Sequence, residues 1–474
     1  MSTGAPSEQA HGVTNGQLPL GALNGYAHPI FAPVVSYFGQ LFNPGSKGGG
    51  ALAVRLHGRP VVDVWAGFAD RRLSQPWERD TVTVCFSTTK GVASTVIHRL
   101  ADRGLVDYEA PVASYWPEFG VAGKQAITVR QLLSHQAGLH SMTDLVDRPE
   151  DLLDHIALEE RLAARPPDPW PGHPGYHAMT YGWLLAGLAR RVTGFGMADL
   201  VQAELARPLE TDGLCIGMPP DGLRRFAPLI GRTPPVRPTP RLFASMSARS
   251  MPTLRKVELT RRFLEALYVP YFDQLLTGPS PLVLNTEMPS VNGVLSAHAL
   301  AKLYAIIAND GEVEGVRFLS AATVGALSQV QTRAHDAVIG MRMNWRMGYH
   351  RAVGQGYRGD SAFGHYGFGG SGGWADPATG LSFGFVTNEL KLIQAPVGGD
   401  HRIFRLAGLV SDRREHCTAD ARRGDLPPCG TDPVCSGLGG CLGPGVCGPS
   451  SMHPFGSEPR AVSTNPGAGS ALVR

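Results

Sequence analysis

Apolar positions fall into helical spacing shortly after a leading stretch that shows no such order. Ile30, Phe31, Val34, Val35, Phe38, Leu41 and Phe42 lie on one face of a 3.6-residue repeat, so the spacing predicts an amphipathic helix. Gly49 to His57 and Pro60 to Ala66 read as two strands joined by a turn at Gly58 and Arg59. A strand-like run from Thr83 to Phe86 leads into Ser87. A helix over 88–103 follows, marked by Val92, Val96, Ile97 and Leu100. Thr128-Val-Arg-Gln131 is a capping box that opens a short helix through Leu132 and Leu133. Residues 150–207 are mostly helical in pattern, and the long helix 180–193 ends at Thr193-Gly194. Ser296 and Ser320 cap two further helices, over 297–309 and up to 329. Strand-like segments follow at 341–349, 363–368, 371–376 and 381–388, and residues 399–410 read as a closing helix.

Strands thus occur at both ends of the body with helices between them. That order predicts an α+β (loosely α/β) fold: one antiparallel sheet built from both ends, flanked by helices and carrying a large helical insertion. The expected division is a flexible leader at 1–25, one large domain at 26–410 and a tail at 411–474. Within the domain, 26–90 and 290–410 form a sheet subdomain, and 91–289 form a helical one. Residues 219–262 stand apart: rich in Pro and Arg, they hold ten basic residues and two acidic ones among scattered apolar side chains. Two readings stay open for them, a solvated excursion or a lid lining a substrate cleft. The tail shifts abruptly to Gly, Pro, Ser and Cys, a composition expected to stay disordered.

With 43% hydrophobic and 18% charged residues among 474, the chain can bury a sizeable core. A net charge of +3 is too mild to imply nucleic acid. No run reaches the roughly 18 apolar residues of a membrane span. The first 25 residues lack Lys, Arg and an apolar core, so no secretory signal is expected. The default expectation is a cytoplasmic protein, with peripheral contact with lipid left open. Cys429, Cys435, Cys441 and Cys447 repeat every six residues, without the paired spacing of zinc ligands, so no metal site is expected.

Lysine is scarce, six against 37 arginines, so Lys90 three residues after Ser87 is informative. At i and i+3 of a helix start the two side chains share a face. The exposed amides and helix dipole there favour a developing anion, and a buried Lys loses its proton more easily. Tyr176-His177-Ala178 precedes the apolar helix, and a phenol near a Lys can be held as phenolate and take the proton of a serine. His365-Tyr366-Gly367-Phe368 lies on an expected strand, where the Phe368 N–H could join that of Ser87 as an oxyanion hole. Gly369-Gly-Ser-Gly-Gly373 formally matches G-x-S-x-G. That motif needs a following helix, whereas Ser371 is followed by more strand.

The three motifs in this order resemble the serine β-lactamase and penicillin-binding superfamily, and in particular its class C-like esterases, the family VIII carboxylesterases. Ile127-Thr-Val-Arg-Gln-Leu-Leu-Ser-His135 with Gly138-Leu139, Pro171-Gly172, and Phe363-Gly-His-Tyr-Gly367 through Trp374-Ala-Asp-Pro377 to Thr379-Gly380 extend the resemblance over about 28–410. It implies a β-lactamase/transpeptidase-like fold with the site between sheet and helical domain. It implies Ser87 as acylated nucleophile, Lys90 as its activating partner and Tyr176, first residue of Y-x-N, as base. His365 then opens the K-T-G or H-x-G motif, with Gly367 its glycine and Phe368 the oxyanion donor. His135 matches a position read as structural.

Two departures bear on substrate. Ala178 stands where the family has Asn, and His365 where it has Lys. A His is mostly neutral at pH 7, so the site suits neutral esters better than β-lactam carboxylates. The expectation is a serine esterase or lipase acting on a small-molecule ester without a cofactor. The alternatives are a β-lactamase or D,D-peptidase, and a non-catalytic binding protein on the same fold. Oligomeric state is not legible.

Overall fold

The computed structural model describes residues 21–413, apart from 44, 169–171, 232–252, 268, 270, 271, 279, 353, 356–359 and 392–399. The leader through residue 20, the middle of the Pro- and Arg-rich segment and the tail with its five cysteines lie outside the described residues.

Among the described residues the main sheet has seven strands, in the order Asn24–Ala27, Arg59–Gly67, Gly49–Leu56, Leu381–Thr387, Gly372–Asp376, Phe363–Tyr366 and His350–Arg351. Every neighbouring pair is antiparallel. Both ends of the body therefore meet at its centre, where Gly50–Leu56 pairs with Leu381–Thr387. Those central strands are buried along their whole length, because helices cover both faces. Leu52, Val54, Leu56, Phe383 and Phe385 pack with Phe31, Val34 and Phe38, next to and on the helix Ala32–Leu41, and with Leu406 and Val410 of the helix His401–Ser411. The opposite face carries small residues, Ala51, Ala53 and Gly384, under the alanine-rich helix Ala297–Ala308. A Cβ on Gly384 would lie 2.4 Å from the carbonyl oxygen of Ala297, so helix and sheet meet at backbone distance.

A second sheet, Thr83–Val84, Gly293–Leu295 and Leu214–Ile216, sits beside the helix Thr89–Asp102. The insertion supplies helices His155–Ala164, Thr180–Thr193, Met197–Val201 and Thr253–Leu267. No described helix is long and apolar enough to cross a membrane.

Three expectations are corrected. The sheet begins at Asn24, inside the expected leader. Residues 341–349 are not a strand: Asn344 and Gly348 take left-handed backbone angles (φ 49° and 87°), and only His350–Arg351 joins the sheet. The period-2 pattern there comes from Trp345, Met347 and Tyr349, which are buried outside the sheet, Trp345 making a single isolated bridge to Thr332. Phe368 is not on a strand either. The strand ends at Tyr366, and Phe368–Gly370 forms a tight turn with Gly369 at φ 82°.

Candidate active site

Ser87 stands where Thr83–Val84 turns sharply into the helix Thr89–Asp102. The preceding residue, Phe86, holds a left-handed backbone angle (φ 46°), an uncommon conformation for a bulky side chain that gathers at functional turns. Ser87 is partly exposed, whereas Lys90, one turn on, is fully buried.

Ser87 Oγ lies 2.8 Å from the Tyr176 hydroxyl and 3.2 Å from Lys90 Nζ. Lys90 Nζ also donates to the carbonyl oxygens of Ala178 (2.6 Å) and Ser290 (3.1 Å). A neutral amine has two N–H groups and one lone pair. Two carbonyls take the two N–H groups, which leaves the lone pair for the Ser87 hydroxyl. Burial pushes the Lys90 pKa well below its ordinary 10.5, and pushes that of Tyr176 up, so the pair tends to neutral amine and neutral phenol.

The third motif reaches this turn through the backbone. Thr88 Oγ1 donates to the Ser371 carbonyl (3.0 Å), which also accepts from the Gly367 N–H (2.7 Å). A Cβ on Gly367 would lie 2.2 Å from the Cys85 carbonyl oxygen, so only glycine allows this approach. The rings of Phe86 and Phe368 meet edge-on with centroids 5.5 Å apart. Among the described residues, the N–H groups of Ser87 and Phe368 take no part in the turn and loop hydrogen bonds around them. They are thus two N–H groups left without such a partner on turns whose rings touch. Ser371 is buried, its Oγ accepting from the Thr387 N–H at 3.3 Å.

His365 is buried, its Nδ1 paired with the Tyr366 carbonyl at 3.0 Å and its Nε2 without a partner among the described residues. Burial, with His350 and Lys90 nearby, holds its pKa well below 6.5, so the ring carries no charge at neutral pH. Sequence reasoning missed Asp336, Trp345 and Ser290. Trp345 stacks on Tyr176 (centroids 5.6 Å, planes 14° apart) and donates its indole N–H to Asp336 (2.9 Å). Asp336 also accepts from the N–H groups of Val338 and Ile339, two and three residues on. That local turn is a pattern an Asp before a short apolar run could have suggested. Ser290 meets Lys90 through its backbone carbonyl, which leaves no sequence signal.

Tyr176 and Ala178 belong to a small apolar cluster with Ala266, Val338, Ile339 and Trp345, flanked by Phe263, Leu267 and Met343. Phe263, Ala266 and Leu267 lie on the helix Thr253–Leu267, the described far end of the Pro- and Arg-rich segment. Among the described residues no group of three His, Cys, Asp or Glu side chains is placed to hold a metal ion.

The buried histidines have a consequence for stability. Burial lowers His98 and His350 to about 4 and His177 to about 3, from 6.5. All three are neutral in the fold, and unfolding lets them take up protons below pH 6.5. Their contribution is whole above that pH and is lost as pH falls towards 4 and 3. The urea midpoint should therefore drop steadily as pH is lowered from 6.5 to 4. A flat profile across that range would contradict these shifts.

A model of the beta-lactamase family matches residues 38–407. The chain belongs to that family. It is 44% identical over 410 residues to the esterase/beta-lactamase LipL of Mycobacterium tuberculosis, covering 85% of this chain and 90% of that protein. A penicillin-binding protein homologue from Caulobacter crescentus superposes with a TM-score of 0.71 at 34% identity, over 82% of this chain and 99% of that one. A family VIII carboxylesterase superposes with 0.67, also at 34% identity, over 83% and 99%. The architecture is thus the β-lactamase/transpeptidase-like fold, and the protein is a serine hydrolase of the esterase/beta-lactamase type.

Proposed function

We infer that the protein hydrolyses neutral carboxylic esters through an acyl-enzyme on Ser87. The observation that carries this reading is the Ser87 hydroxyl held between the Tyr176 hydroxyl and the Lys90 amine. Lys90 Nζ takes the Ser87 proton as Oγ bonds to the ester carbonyl carbon. The negative charge moves to the carbonyl oxygen, opposite the Ser87 and Phe368 N–H groups. As the tetrahedral species collapses, the bond to the alcohol oxygen breaks. Tyr176 gives that oxygen its proton and recovers one from Lys90. Water then attacks the acyl-enzyme by the same transfers in reverse, releasing the acid. The sequence alone suggested Tyr176 as the first proton acceptor. The opposite shifts of the two groups favour Lys90 for that step.

Neutral substrates are favoured by two replacements at the site. Ala178 offers a methyl group to the apolar cluster where an amide would stand, and uncharged His365 brings no cation to hold a carboxylate. A panel of p-nitrophenyl esters and nitrocefin tests this. Short esters should exceed nitrocefin in kcat/KM by roughly 100-fold. Comparable turnover would support a β-lactamase instead, and failure of a fluorophosphonate to label Ser87 would point to a non-catalytic binding protein.

A further inference from the structure

We propose that Asp336 and His135 are positioning residues that grip the backbone around Tyr176 and so hold its hydroxyl on Ser87. Three consecutive N–H groups there are taken by these two residues. Gly175 donates to the His135 carbonyl oxygen (2.9 Å), Tyr176 to Asp336 Oδ1 (3.1 Å) and His177 to His135 Nδ1 (3.2 Å). Neither residue is near in sequence, and both are buried, His135 fully and Asp336 at 1% exposure. Because this stretch is neither helix nor strand, no ladder of its own fixes its position.

Each anchor is itself rigid. Asp336 Oδ1 also accepts from Val338 and Ile339, and Oδ2 from the Trp345 indole, so one carboxylate ties Tyr176 to the ring that stacks on it. Among the described residues the side-chain partners of Asp336 are N–H groups, not a cation. His135 must keep Nδ1 unprotonated to accept from His177. Its ring packs against Tyr181 and Trp345 (centroids 4.5 and 4.2 Å) and edge-on to Tyr176 at 5.2 Å. It also holds a left-handed angle, φ 61°. The other polar groups around the phenol are Ser87, Lys90 and His365. None of them holds the Tyr176 main chain.

The inference rests on Tyr176 handling a proton, as proposed above, and a mutant cycle separates the two. Asp336→Asn and His135→Leu should each lower kcat for a p-nitrophenyl ester by about 10- to 100-fold, with KM within about twofold, since a small misplacement of a reacting group costs rate rather than binding. His135→Asn, which keeps a side-chain acceptor and tolerates the left-handed angle, should restore most of the rate. In a Tyr176→Phe background, neither Asp336→Asn nor His135→Leu should cause a further loss. Multiplying losses in that background would overturn the positioning role and leave the ester-hydrolase reading intact. A Tyr176→Phe enzyme with wild-type kcat would overturn the reading of Tyr176, and the positioning role with it. If Asp336→Asn does not fold, the His135→Leu and His135→Asn pair carries the same test.

Discussion

Ser87→Ala should lower kcat for a short p-nitrophenyl ester by on the order of 10⁵-fold, as loss of an attacking hydroxyl does in other serine hydrolases. Ser371→Ala should keep kcat within about threefold, because its buried hydroxyl meets the Thr387 N–H and the Cys85 thiol, hydrogen bonds worth about 1 kcal/mol each. The contrast follows from what each serine offers. Ser87 Oγ meets an amine and a phenol on a partly exposed turn. Ser371 acts through its carbonyl, which ties the Ser87 turn to Gly367. Steady-state kinetics of the two variants decide the matter. Loss in Ser371→Ala with retention in Ser87→Ala would reverse the assignment.

Lys90→Met and Lys90→Arg should both lower kcat by about 10³- to 10⁴-fold, the usual worth of a general base or somewhat more. The Arg variant is the sharper test. It can still donate to the Ala178 and Ser290 carbonyls, but it cannot lose a proton to free a lone pair. Retained activity in Lys90→Arg would show that charge, not basicity, is what position 90 supplies. The two variants also part in stability. Burial lowers the Lys90 pKa, so the wild type has its full contribution above the unfolded value of 10.5 and loses it as pH falls towards the folded value. Met removes that dependence, while Arg puts a permanent charge in a fully buried place. Urea midpoints of the three proteins against pH would show the wild type sloping, Met flatter and Arg lowest.

The sequence exposed the parts of this design that rest on local chemistry. Ser87 and Lys90 share a helix start, which spacing alone reveals, and the order of the three motifs carried the family resemblance. The sheet was legible because strand-period segments cluster at the two ends of the body. Residues 341–349 misled for a physical reason. Buried Trp345, Met347 and Tyr349 alternate with other residues as a strand's would, but they serve the site and the neighbouring helix. Left-handed angles at Asn344 and Gly348 then break the extended chain. Phe368 was placed on a strand but lies on a turn, since a glycine's sign of φ cannot be read from its letter. Ser290 stayed hidden because its partner is a distant lysine, and the local turn at Asp336 does not reveal its distant partner, the Tyr176 N–H.

The central pairing of Gly50–Leu56 with Leu381–Thr387 bears on the order in which the protein comes into being. Thr88 and the Ser371 carbonyl it holds are 283 residues apart. During synthesis the serine turn emerges early, yet Thr88 cannot meet the Ser371 carbonyl until the far end of the sheet has been made and paired. Long-range strand pairing of this kind is slow, because loop closure precedes any gain from the contacts it allows. The serine turn therefore takes its final form only after the two ends of the sheet have met.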